Sequence, residues 1–364
     1  MQQVELFVPG RLCLFGEHSD WAGGYRRIDS SISKGFCILV GTNQGIYARA
    51  RKNDSLVIKS TLPDGVTLGP HEIPMDSKEL LQVAEEGGFY SYSAGVAYFS
   101  CCHYKVGGLE IDNYKMDLPI RKGLSSSAAN NVLLARAFNH LYDLKLTRRG
   151  EMELAYQGEI ITPSRCGRMD QACAYGKTPV FITFDGDRID VQELRPKHTY
   201  YMVVADLMAG KNTQKILADL NSAFPGTKGK IAADVRYFLG PINKEIVDKA
   251  KKIIENDHPQ KLGLLMAEAQ NLFDQFVAPA CPDELASPAL HKVLRQDNIK
   301  PLVYGGKGVG SQGDGCVQFL ARGMKEQKQL LKLLKNQGLD PYPLTIPRSD
   351  DQENEPHPVE HTDL

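Results

Sequence analysis

Apolar and β-branched residues cluster in VELFV at 4–8 and FCILVGTNQGIYARA at 36–50, which predicts two strands separated by a Gly-rich turn segment at 9–24. Residues 80–104 show helical spacing interrupted by Gly87 and Gly88, and GLEIDNYKMDLPI predicts a strand followed by a polar turn. Val132, Leu133, Ala137, Phe138 and Leu141 recur on one face, predicting an amphipathic helix over 126–142, with a second helix over about 150–161. TPVFITFDG and TYYMVVADL read as strands flanking polar turns. Beyond them, helical patterns at 212–224, 229–238, 242–256 and 259–277 precede a strand-loop-strand, LVYGGKGVGSQGDGCVQFLA, and a last helix over 324–337.

This order is that of an α+β protein. A change in composition near Pro196 and Lys197 predicts domains at 1–196 and 197–347. The polar segment 348–364, acidic and Pro-containing, buries too little apolar surface to repay its ordering entropy and is expected to be a disordered tail.

Charge and composition narrow the function classes. Lys plus Arg number 43 and Asp plus Glu 44, a net charge of -1, so no basic excess points to nucleic acid or an anionic membrane. The eight Cys lack a repeated CxxC spacing and read as reduced, mostly buried thiols. No leader of signal-peptide type opens the chain and no window approaches a membrane span, so a cytoplasmic enzyme is expected.

The run RKGLSSSAANN places one Gly and three Ser directly before a helix. Unpaired N–H groups, the helix dipole and small side chains together favour an anion there, although a Ser-capped helix after a turn would read the same way. Two other Gly-rich runs do not compete. Gly308, Gly310 and Gly313 formally spell G-x-G-x-x-G, but the strand-like CVQFL follows where a dinucleotide site needs a helix. Gly176-Lys177-Thr178 ends like a Walker A loop, yet Gln171 occupies the position of its first Gly.

Four segments coincide in order with one family: PGRLCLFGEHSDWAGG at 9–24, LPIRKGLSSSAANN at 118–131, AYQGEIITPSRCGRMDQACA at 155–174 and GGKGVGSQGDGCVQFL at 305–320. The chain resembles the GHMP kinases, with a first motif similar to the galactokinase PGRVNLIGEHTDYNGG. The resemblance implies a two-domain fold, an N-terminal domain like ribosomal protein S5 and a C-terminal ferredoxin-like domain. It departs at Gln312 and Asp314, where many members have Gly, and at Arg121, where Gly is usual.

For this chain the resemblance implies that Lys122, Gly123, Leu124, Ser125, Ser126, Ser127 and Ala128 cradle the phosphates of ATP. Ser127 and Glu159 would bind Mg²⁺, a hard cation suited to hydroxyl and carboxylate oxygens. Asp170 would be the base and Arg11 its partner in catalysis. Glu17, His18 and Asp20, with Gly310 and Gly313, would face the acceptor. The expected activity is ATP-dependent phosphorylation of a sugar, at the anomeric hydroxyl, by a cytoplasmic monomer or homodimer with no nucleic-acid or membrane partner. A mevalonate-like alcohol, a polyol or a uronic acid remains open as acceptor, because Arg26 and Arg27 add two cations after the first motif. A sensor that binds ATP and sugar without catalysis is the reading from another class. Trp21 would suit stacking on a sugar face or simple burial.

Overall fold

The computed structural model describes residues 2–118, 123–164 and 166–352. The chain packs into two compact units, one holding residues up to Arg11 with Gly41–Lys177, the other Leu12–Val40 with the described residues from Thr178 to Gln352. These units do not coincide with the ranges 1–196 and 197–347, because two long strands, β1 (Gln3–Phe15) and β2 (Gly35–Asn53), each run from one unit into the other.

In the first unit β2 is joined by β3 (Leu56–Thr61), β4 (Thr67–Ile73) and β5 (Gly108–Met116) in the order β4-β3-β5-β2, and β1 pairs with β2. The β3–β5 pair is parallel and the β2–β5 pair antiparallel, with Ala50 opposite Ile111. Helices Ser77–Glu86, Ser91–His103, Ser126–Tyr142 and Arg148–Ile160 supply the other layer. The Ser126–Tyr142 helix has the predicted bounds, and its Ala128, Ala129, Val132, Leu133 and Phe138 are all fully buried. A Cβ on Gly95 would lie 2.0 Å from the Gly158 carbonyl, so only Gly lets the Ser91–His103 and Arg148–Ile160 helices touch backbone to backbone. That contact carries the next residue, Glu159, into the interior.

In the second unit the start of β2 pairs antiparallel with β6 (Val180–Asp185), which pairs with β7 (Arg188–Glu193). A separate sheet contains β8 (Tyr200–Asp206), β9 (Val303–Gly308), β10 (Cys316–Ala321) and β11 (Asp340–Ile346) in the order β11-β8-β10-β9, every neighbour antiparallel. Helices lie between β8 and β9 and between β10 and β11, the connectivity of a split βαβ unit. Val203, Val317, Phe319, Leu330 and Leu334 form the core under this sheet. A second core gathers Leu220, Phe224, Val235, Phe238 and Phe273, with Trp21 and Tyr25 packed against it.

Several expectations are corrected. Residues 9–15 are not a turn but the second half of β1, because Leu12, Cys13, Leu14 and Phe15 are all buried and bound into the sheet. The loop proper is short and leads into helix Ser19–Gly24. β3, β4, β7 and β11 escaped the periodicity: β7 reads RIDVQE, and β11 contains Pro341 and Pro343, which an edge strand tolerates because one side needs no N–H donors. The patterns at 229–238 and 242–256 are one continuous helical run, with a wide turn at Phe238–Ile242 that absorbs Pro241. Beyond Arg348 the described chain makes a helical turn, Ser349–Gln352, with the Ser349 N–H donating to Pro196 at 2.9 Å. The rest of the acidic tail lies outside the described residues. Among the described residues no helix is long and apolar enough to cross a membrane, and the eight cysteines are free thiols, of which only Cys102 is exposed.

Candidate active site

In the first unit the chemistry gathers where β1, the loop before Ser126 and the short helix Asp170–Tyr175 approach one another. Arg11 donates from Nε to Asp170 Oδ1 at 3.1 Å and forms an ion pair with the same carboxylate through Nη2. Its backbone N–H donates to the Leu124 carbonyl at 3.0 Å, and its Nη1 to the Gly123 carbonyl at 3.4 Å, so one residue holds both the carboxylate and the loop. Ser125 Oγ is the third group donating to Asp170 Oδ1, at 3.0 Å. Ser125 takes the left-handed conformation, and its side chain makes no capping hydrogen bond to the helix that follows. The backbone adopts φ 75° at Gly123 and φ 58° at Ser125, a tight reversal that aims the loop at the helix start. Lys122, assigned to the same loop, lies outside the described residues.

Glu159 is fully buried and held by three donors. Ser127 Oγ donates to Oε1 at 2.8 Å, while Gln171 Nε2 and Asn131 Nδ2 donate to Oε2 at 2.8 and 3.1 Å. Burial pushes its pKa up, the nearby Asp170 charge adds to this, and the three hydrogen bonds oppose it. The Asp170–Tyr175 helix is anchored from below: Arg136 pairs with buried Glu151 at 2.9 Å and donates to the Ala174 carbonyl at 2.8 Å. Cys166, beside Gln171, has its thiol pushed up by burial and by Glu159 and Asp170, which disfavours the thiolate.

A metal can be tested against this donor set. Among the described residues no cluster of three or more His, Cys, Asp or Glu could hold an ion by itself. Ser127 Oγ and Glu159 Oε1, with the partnerless buried amide oxygens of Asn131 and Gln171 nearby, are hard oxygen donors that fit Mg²⁺ only if another ligand supplies most of the coordination.

In the second unit Glu17, His18 and the third Gly-rich motif form another polar cluster. Glu17 is buried and forms an ion pair with the ammonium of Lys307, itself only 2% exposed. His18 has φ 68°, stacks on Phe273 and accepts at Nδ1 from the Trp21 indole N–H at 3.1 Å. Burial lowers its pKa to about 4; Lys211 and Lys307 act in the same direction, while the Ser311 backbone opposes the shift without meeting hydrogen-bond geometry at Nε2. Asp20 is half-buried on the helix that follows.

Gly310 and Gly313 have φ 63° and 74°, in the turn between β9 and β10. The two departures in this turn have structural roles. Gln312 takes φ 64°, a conformation suited to Gly, and its backbone carbonyl accepts from Lys211 Nζ at 3.0 Å. Asp314 accepts from the Leu290 N–H at 2.9 Å at the start of helix Pro288–Leu294. Arg26 is committed elsewhere, to Asp185 and to the carbonyls of Ser30 and Ile32, and exposed Arg27 pairs with Asp187 at 3.4 Å. Sequence reading missed Ser125 as a ligand of Asp170, Asn131 and Gln171 as holders of Glu159, and the pairing of Lys307 with Glu17. Only Gln171, next to Asp170 in GRMDQ, had a local signal.

Residues 90–177, which contain the loop, Glu159 and Asp170, match the family described as GHMP kinases N terminal domain. This stretch of the chain is similar to that domain. It is 31% identical over 155 residues to a galactokinase of Streptococcus thermophilus (strain ATCC BAA-491 / LMD-9), covering 42% of this chain and 36% of that protein. A galactokinase of Glaesserella parasuis serovar 5 (strain SH0165) is 23% identical over 299 residues, covering 74% and 73%. The first match thus spans little more than a third of its relative. Among solved structures, Methanococcus jannaschii mevalonate kinase aligns with TM-score 0.69 at 18% identity, covering 94% of this chain and 97% of that one. Lactococcus lactis galactokinase complexed with galactose aligns with TM-score 0.67 at 17% identity, covering 95% and 94%. The α+β fold is therefore shared with these two solved structures.

Proposed function

We propose that this chain is an ATP-dependent small-molecule kinase that phosphorylates a sugar hydroxyl, the anomeric one, with Asp170 as base. The observation that carries the reading is the convergence of Arg11 and Ser125 on one oxygen of Asp170 beside the Ser127–Glu159 pair. Phosphoryl transfer asks for positioning and charge neutralisation more than covalent chemistry. With Oδ1 fixed by its donors, Asp170 Oδ2 takes the proton of the acceptor hydroxyl as that oxygen bonds to the γ-phosphorus and the β–γ bridging oxygen leaves with ADP. Arg11 offsets the charge of Asp170 and of the transferring group. The N–H groups at the start of the Ser126–Tyr142 helix, which the Ser125 side chain does not cap, receive phosphate oxygens.

Ser127 and Glu159 Oε1 would hold Mg²⁺, which when bound neutralises phosphate charge. Asn131 and Gln171 keep Oε2 occupied, so Glu159 offers one oxygen rather than two. Glu17, His18 and Asp20 contact the acceptor, as does the turn at Gly310 and Gly313. The commitment of Arg26 and Arg27 to Asp185 and Asp187 favours a neutral sugar over a uronic acid, and the galactokinase relatives favour a sugar over a mevalonate-like alcohol.

The test is ATP consumption by the purified chain across a panel of aldoses, uronic acids, polyols and mevalonate. Phosphorylation of a neutral aldose at the anomeric oxygen, located by ³¹P–¹H NMR, supports the proposal. Turnover of mevalonate alone would replace the acceptor, and binding of ATP and sugar without turnover would replace the kinase by a sensor.

A further inference from the structure

The buried polar cluster of the second unit holds two consecutive side chains whose hydrogen-bonding sense is set by Trp21 and Lys307. The indole of Trp21 can only donate, so the 3.1 Å contact from its Nε1 requires a lone pair at His18 Nδ1. A neutral imidazole then carries its proton on Nε2, and burial lowering the His18 pKa to about 4 keeps the ring neutral at physiological pH. That Nε2 is buried and makes no hydrogen bond, in a side chain 5% exposed. A buried donor left without an acceptor is costly, and a ligand oxygen is the economical solution. The carboxylate of Glu17 has the opposite character. Fixed against the Lys307 ammonium, it presents acceptor lone pairs and no proton.

We propose that Trp21 and Lys307 are positioning residues that set the polarity of the acceptor subsite, Trp21 by making His18 a fixed Nε2–H donor and Lys307 by making Glu17 a fixed acceptor. This deepens the sugar-kinase reading and rests on it. The subsite so arranged selects a free hydroxyl, which accepts from His18 and donates to Glu17. It rejects a group at the same position that can only accept, such as a methyl ether or a fluorine, because Glu17 would then face a lone pair.

The experiment has two parts, made on the full chain with galactose as the neutral aldose, the sugar held in the Lactococcus lactis galactokinase structure. Long-range ¹⁵N–¹H NMR of the imidazoles should show His18 protonated at Nε2 in the wild type, with a mixed tautomer in Trp21→Phe. Calorimetry and steady-state kinetics should show the acceptor Kd and KM raised about tenfold in Trp21→Phe and in Lys307→Met/Glu17→Gln, with the KM for ATP unchanged. The double substitution replaces a buried ion pair by neutral groups of similar size, so it tests binding where Lys307→Met alone would unfold the site. Lys307→Arg should retain most of the affinity. Discrimination between the aldose and its methyl ether should shrink in the same variants.

A His18 protonated at Nδ1 in the wild type would overturn the inference, as would unchanged acceptor affinity in both variants. If the wild type binds the aldose in calorimetry but phosphorylates nothing, the kinase reading falls while the polarity of the subsite is still decided by the binding data.

Discussion

The Asp170–Glu159 cluster and the Glu17–His18 cluster are both polar and largely buried, but they handle charge differently. Around Asp170 and Glu159 the donors converge on chosen oxygens: Arg11 and Ser125 on one atom of Asp170, Asn131 and Gln171 on one atom of Glu159. Two carboxylates are thereby kept near each other despite the mutual repulsion and burial that push the Glu159 pKa up. Around Glu17 and His18 the charges are cancelled instead, by an internal ion pair and by keeping the imidazole neutral. The first arrangement suits a centre where charge moves during a reaction, and the second suits recognition of neutral hydroxyls by fixed donors and acceptors.

The comparison can be broken most directly at Asp170. Asp170→Asn is expected to lower turnover by about 100- to 10,000-fold while ATP affinity, measured by calorimetry, stays close to that of the wild type. Turnover near the wild-type value would remove Asp170 from the reaction.

The neutral state of His18 predicts a pH effect in the second cluster. Its folded pKa, about 4, lies below the unfolded value of 6.5, so the unfolded chain binds more protons between these limits. Stability from this group is complete above pH 6.5 and lost as pH falls through about 4, by at most about 3 kcal/mol. Urea unfolding from pH 7 to pH 4 should show this loss, and His18→Gln should flatten that part of the curve. An unchanged curve in the variant would show that the ring is protonated or exposed, in spite of Lys211 and Lys307 beside it.

Asp20→Ala should weaken acceptor binding by about 1 to 3 kcal/mol with ATP binding retained, the cost of stranding a hydroxyl in a desolvated pocket. Equal losses for acceptor and nucleotide would mean the substitution acts through folding. At the metal-directed edge of the first cluster, Ser127→Ala and Glu159→Gln should raise the Mg²⁺ requirement, and Gln171→Leu, which only orients Glu159, should raise it by about tenfold. Mn²⁺ titration followed by electron paramagnetic resonance, in the presence of nucleotide, reads this without turnover. The smallest effect is expected at Arg27, whose exposed pair with Asp187 should be worth less than about 1 kcal/mol. Arg27→Ala should leave both the unfolding midpoint and the preference for neutral over carboxylated sugars unchanged. A wild-type preference for a carboxylated sugar that Arg27→Ala abolishes would instead place this arginine in acceptor recognition.

The amino-acid order by itself determined the long helices and the order of the motifs. Ser126–Tyr142 was legible to the residue because a 3.6-residue apolar rhythm directly follows a Gly-Ser run, and both signals are local. The Gly123–Ser127 run was legible for the same reason, whereas Glu159 and Asp170 were singled out only through the resemblance of their motif to the GHMP kinases. What the sequence could not convey depends on distance in space. Strands such as β7 and β11 are stabilised by partners far along the chain, so RIDVQE and DPYPLTI carry no periodic signature of their own. The binding of Ser125 and Arg11 to the same oxygen of Asp170 joins residues separated by 45 and 159 positions, and the Lys307–Glu17 pair spans 290. Only tertiary structure decided that Arg26 is spent on Asp185, that Glu17 is neutralised by Lys307 and that His18 is left with an orphaned donor, because charge state and tautomer are set by neighbours in space and not by neighbours in sequence.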